Sequence, residues 1–188
     1  MLLSGFAAAA HAHTDQMVTG GFVTGYLHPL TGLDHLLAMV AVGIWGASLG
    51  KPLIWALPIA FPLLMVVGGA LGIAQVPLPY VETGIAGSVL VLGLAIAAAW
   101  RAPMLIALPI VALFGLLHGY AHGIELPTSV APASFAAGFV VSTGLLHLAG
   151  IAFGAVKDLP FGGPLLRASG GAIAAAGVWI LVGMPGLV

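Results

Sequence analysis

The chain has 188 residues, of which 61% are hydrophobic and 5% charged, with a mean hydropathy of +1.21. Soluble domains carry roughly 25% charged residues, so this composition excludes a water-facing globular domain and makes lipid the main solvent. A formal net charge of −1 leaves no basic face for nucleic acid, and the absence of cysteine removes disulfides, thiolate metal sites and cysteine nucleophiles.

In chain order, MLLSGFAAAAHA is a short apolar run closing on Ala10-His11-Ala12, an A-x-A cleavage pattern. It predicts a signal-peptide-like segment over 1–12, followed by a short external N-terminus over 13–20. A spanning helix needs about 20 mostly apolar residues. Six stretches qualify, at about 21–48, 52–74, 81–100, 103–126, 134–156 and 165–184. The links are short, which predicts antiparallel neighbours. The expected fold is therefore all-α and integral to the membrane, a compact six-helix transmembrane bundle occupying 21–188.

Charge orients that bundle. Lys51, Arg101, Lys157 and Arg167 all fall at links on one side, and the loops at 75–80 and 126–132 carry no basic residue. The positive-inside rule makes the charged side cytoplasmic and places both termini outside. Trp45, Trp55 and Trp100 are expected as anchors at the inner boundary, and Tyr26, Tyr80, Tyr120 and Trp179 at the outer one. Glycines repeat every fourth position at 115, 119 and 123, at 68 and 72, and at 150 and 154. Such ridges let helices approach closely in lipid. Pro58, Pro62 and Pro109 each remove a helical hydrogen bond and are expected to kink their spans.

Lipid does not explain the ionisable residues, because a charge at mid-bilayer costs about 2.5–3.5 kcal/mol on insertion scales. The first span carries HPLTGLDHLLAM, with His28, Asp34 and His35. Seven residues separate the two histidines, so a continuous helix would set them two turns apart on nearly one face. Met39 fits a core filler. The fourth span carries FGLLHGYAHGIE, where His118, His122 and Glu125 share a face at i, i+4, i+7. The fifth carries His147 in TGLLHL, an echo of TGLDHL at 31–36 that predicts equal depth for His147 and His35.

Counted inward by helix rise, Glu125 and Glu82 lie near the outer surface and His122 about 6 Å in. His28 and His118 follow at about 10–12 Å, then Asp34, His35 and His147 at about 20 Å. This predicts a ladder of metal ligands made of His28, Asp34, His35, His118, His122, Glu125 and His147. His13, Asp15 and Glu82 are possible entrance ligands, although Glu82 also suits a helix start. Imidazole with carboxylate favours Ni2+, Co2+ or Zn2+ over Mg2+ or Ca2+. Ligation needs neutral imidazole, which predicts that uptake falls below an outside pH of about 6.

HPLTGLDH and FGLLHGYAHGIE resemble the two motifs of the HupE/UreJ family of bacterial nickel permeases, HP-x-x-G-x-DH and HG-x-(A/V)-HG-x-E. The first is met at His28, Pro29, Gly32, Asp34 and His35. The second is met at His118, Gly119, Ala121, His122, Gly123 and Glu125. The resemblance implies uptake of nickel, or of cobalt, through a bacterial inner (plasma) membrane. The metal is then cargo rather than cofactor, the partners are a divalent ion and the bilayer, and no enzymatic activity is expected. No nucleotide-binding loop is present. An intramembrane zinc-dependent hydrolase is the rival expectation, with His35, His118 and His122 as ligands and Asp34 as base.

Overall fold

The structure is a computed structural model and describes residues 20–126 and 130–183. The signal-like segment and the external N-terminus through residue 19, with His13 and Asp15, lie outside the described residues.

The described residues are all-α, with no strand among them. Inside a bilayer, unpaired backbone groups cost several kcal/mol each, so apolar runs close their hydrogen bonds within themselves as helices. The helices are α1 (Gly20–Thr31), α2 (Leu33–Leu49), α3 (Leu53–Ile73), α4 (Val81–Ala97), α5 (Met104–Ile124), α6 (Pro132–Gly154) and α7 (Gly162–Val182). A 3-10 turn, Ala155–Asp158, continues α6. Four helices, α3, α5, α6 with its turn, and α7, are long and apolar enough to cross a membrane; α1 with α2 makes a fifth if counted as one span. With 17 residues α4 is shorter, and its length of about 26 Å falls below a full hydrocarbon core.

The first span departs from expectation. It is not one helix over 21–48: it breaks at Gly32, and α1 and α2 meet at 81°. Gly32 is extended (φ −90°, ψ 117°), and α2 restarts with Leu36 N–H donating to Gly32 O. The heptad spacing of His28 and His35 therefore does not set them on one continuous face. The prolines behave differently: α3 and α5 carry Pro58, Pro62 and Pro109 within single helices.

Packing follows the glycines. α3 lies chiefly on α5, α4 on α7 and α2 on α6. Gly115, Gly119 and Gly123 press on the backbone of Phe61, Met65 and Gly69, so that a side chain at any of them would collide with α3. Gly68 and Gly72 return the contact against Leu116 and Tyr120, and Gly43 meets Gly150 between α2 and α6. Without a hydrophobic drive between helices in lipid, this close backbone approach supplies the attraction.

Two expected interfacial anchors are instead internal pins. Tyr120 is buried; its hydroxyl donates to Val76 O (2.6 Å) and accepts from Leu78 N–H (3.2 Å), tying down the α3–α4 link. Trp45 is also buried, stacks on Trp100 at 5.7 Å and donates to Trp100 O. At the same end of the bundle, Lys157 Nζ donates to Ala47 O (2.6 Å) and Arg167 Nε to Ala97 O (2.9 Å). These two basic side chains thus close over the C-terminal ends of α2 and α4, where cations offset the helix dipole.

Candidate metal site

The break at Gly32 creates the site. The 81° bend between α1 and α2 brings the His28 ring to 6.3 Å from His35 and 4.7 Å from His122, with His35 and His122 only 4.3 Å apart. One donor nitrogen from each of these three histidines lies within 4.8 Å of the others. Nitrogen ligands sit about 2.1 Å from a first-row ion, so any two are at most about 4.2 Å apart. Around a tetrahedral ion that spacing is about 3.4 Å, so a closure of up to about 1.4 Å lets all three hold one cation. In place of successive depths, the outer part of the predicted ladder is a single point.

Acids surround that point. Glu125 Oε2 lies 3.9 Å from both His28 Nε2 and His122 Nδ1. Asp34 Oδ1 accepts from His35 N–H (2.9 Å) and stands 3.9 Å from His35 Nδ1. Glu82 is exposed in the first turn of α4, near enough to feel the charges of Glu125 and Asp34. Helix ends add to the field. α1 ends at Thr31, just past His28, and α5 ends at Ile124, just past His122. Both point their negative C-terminal ends at the histidines, which favours a cation.

His118 adjoins the cluster, its ring 5.1 Å from His35. Its Nδ1 is 2.8 Å from Phe114 O. A carbonyl can only accept, so Nδ1 carries the proton and Nε2 presents a lone pair. That Nε2 is buried and makes no hydrogen bond, as do His35 Nδ1 and both ring nitrogens of His122. Buried polar atoms are normally satisfied, and four unsatisfied imidazole nitrogens in one place suit a metal-binding cluster. The rings point into the bundle and away from lipid: His118 is 0% and His122 6% exposed.

His147 stands apart. The Phe61 ring contacts both it and His118, 5.4 Å from the first and 5.3 Å from the second. The echo between TGLDHL and TGLLHL does not mark equal depth. Gly43 meets Gly150, so His147 pairs in register with residues near 40 on α2, about 7 Å beyond His35. His147 has both nitrogens buried and unpaired, and the Thr143 hydroxyl one turn before it is likewise without a partner among the described residues. Sequence reasoning missed Phe61 and Thr143. A lone phenylalanine in an apolar helix carries no signal, but Thr143 lies at the i−4 position of His147 and could have been found by that spacing. Phe135 and Phe139 of α6 wall the outer cluster, with Phe139 4.4 Å from His122.

A cavity of about 290 Å³ between α3, α5 and α6 reaches His122. Its other walls, Met65, Val66, Phe135, Phe139 and Val140 among them, are apolar. No carboxylate lines it.

The family described as HupE / UreJ protein matches residues 1–180. Protein HupE of Rhizobium leguminosarum bv. viciae is 44% identical over 174 residues, covering 93% of this chain and 91% of the relative. No solved structure matches the chain.

Proposed function

As the chain belongs to the HupE/UreJ family, whose members are permeases and not enzymes, we propose that it imports a divalent transition-metal ion across the bacterial inner membrane. Ni2+ is the first choice of cargo, and Co2+ and Zn2+ share its ligand chemistry. The observation that carries this reading is the convergence of half-buried His28 with buried His35 and His122 on one point.

The ion meets Glu82 and Glu125 first, with His13 and Asp15 as further entrance ligands. It exchanges water for the imidazoles of His28, His35 and His122, with Asp34 balancing its charge. His118 Nε2 takes the next position. Passage to His147 requires the Phe61 ring to move aside, which separates an outer site from an inner one. Several partial sites suit transport better than one closed cage, since each must release its ion. Moving two charges inward across 100 mV supplies about 4.6 kcal/mol, at about 2.3 per charge.

Six crossings with both termini outside complete the proposal, the bent α1–α2 pair counting as one and α4 crossing despite its length. The gathering of basic residues at one end of the bundle supports that orientation. Nothing in the site favours the hydrolase reading.

Radiolabelled nickel uptake into vesicles tests the proposal. His122→Ala and Asp34→Asn should each abolish uptake while the protein stays folded in detergent. Uptake equal to that of the unaltered chain in both variants would remove His122 and Asp34 from the path.

A further inference from the structure

Three of the chain's four basic residues, Arg101, Lys157 and Arg167, line a single cavity of about 230 Å³ at the end of the bundle opposite the histidine cluster. Trp45, Trp100, Ile96 and Leu166 form its apolar side. We propose that this cavity seats the phosphate of an anionic membrane lipid.

The cations have donors to spare. Arg101 makes no hydrogen bond or ion pair among the described residues. Lys157 and Arg167 each commit one donor to a helix-ending carbonyl, and an ammonium has three and a guanidinium five. Those two bonds also cover the negative ends of α2 and α4, which would otherwise repel an anion. Helix α7 starts at the cavity with the opposite polarity. Gly163, in its first turn, lines the cavity, and no atom lies within 4 Å of where a Cβ would stand. Asp158 follows Lys157 in sequence but does not line the cavity.

A lipid is the occupant because of where the cavity lies. It opens at the end of an apolar bundle, beside a stacked tryptophan pair, and in the orientation proposed above that end faces the cytoplasmic headgroups. Basic pockets between helices on this side of a membrane recognise anionic headgroups. A zwitterionic lipid would bring its own ammonium against three cations, and free phosphate would leave the apolar wall uncovered.

The test uses the full chain, purified in detergent and stripped of lipid. Its thermal midpoint is followed against phosphatidylglycerol, phosphatidylcholine and inorganic phosphate. Saturable stabilisation by phosphatidylglycerol is expected, with half-saturation at least tenfold lower than for phosphatidylcholine, and no shift from inorganic phosphate at equal concentration. Arg101→Gln should raise the phosphatidylglycerol half-saturation tenfold or more. Gly163→Asp should do the same by placing a negative charge in the cavity. An acid in the first turn suits a helix and the space is open, so this variant keeps its fold even if the arginine variant does not. Equal shifts from the two lipids, a shift from inorganic phosphate matching that from phosphatidylglycerol, or an unchanged titration in Gly163→Asp would overturn the proposal.

Discussion

Gly32→Ala is the sharpest test of how the metal site is built. Gly32 has ordinary extended dihedrals that any residue adopts, so backbone strain does not require glycine there. Space does. A Cβ at Gly32 would stand 2.8 Å from His35 Cδ2 and 3.0 Å from Asp34 Oδ1. Relaxed carbon contacts lie at about 3.5–4.0 Å, so the His35 ring must retreat by about 0.7–1.2 Å. That is comparable with the whole closure, up to about 1.4 Å, that brings the three donors onto a common metal. Alanine also favours helix over glycine by about 1 kcal/mol, which works against the break that folds His28 onto His122. Misplacing a ligand's support costs about 10- to 100-fold in metal affinity. We expect a fall of that size in nickel affinity by calorimetry and in initial uptake rate, with an unchanged thermal midpoint in detergent. Wild-type affinity and uptake in this variant would refute the idea that a missing side chain at Gly32 positions His35.

Other outcomes follow from single contacts. Tyr120→Phe leaves Val76 O and Leu78 N–H unpaired and should destabilise the protein by about 1–3 kcal/mol, read by denaturation in detergent, with uptake retained. Gly119→Val drives a side chain into the Met65 backbone; a loss of about 1–3 kcal/mol or more is expected, with a lower yield of folded protein. Thr143→Val replaces a buried, unpaired hydroxyl by a methyl of like shape, so stability should hold or rise. If the hydroxyl serves an ion at His147, nickel uptake nevertheless falls about tenfold, and an unchanged rate removes Thr143 from the path.

Helices, glycine ridges and the basic end were legible because each rests on a local or compositional rule. Apolar runs must be helical in lipid, small residues at every fourth position face another helix, and Lys and Arg avoid the hydrocarbon core. Gly115, Gly119 and Gly123 could be assigned to a packing face from spacing alone. Tyr120 could not, because its role depends on meeting the Val76–Leu78 link, more than 40 residues away in sequence. The roster of buried histidines was likewise readable, since lipid tolerates such side chains only when they turn inward.

Their arrangement was not readable, and the reason is one residue. Depth along a span converts to distance only while the helix continues. His28 and His35 were placed by a heptad rule that assumes 3.6 residues per turn throughout, and the extended backbone at Gly32 voids it. A straight α1–α2 would hold the two rings about 10 Å apart along the axis, too far for one ion. Bent by 81°, the same residues share a point with His122. The ends that the break and the close of α5 create direct negative dipole ends toward a cation. The glycine within HPLTGLDH thus belongs to the site as fully as its histidines: the chemistry of the motif is in its side chains, and its geometry is in the residue that has none.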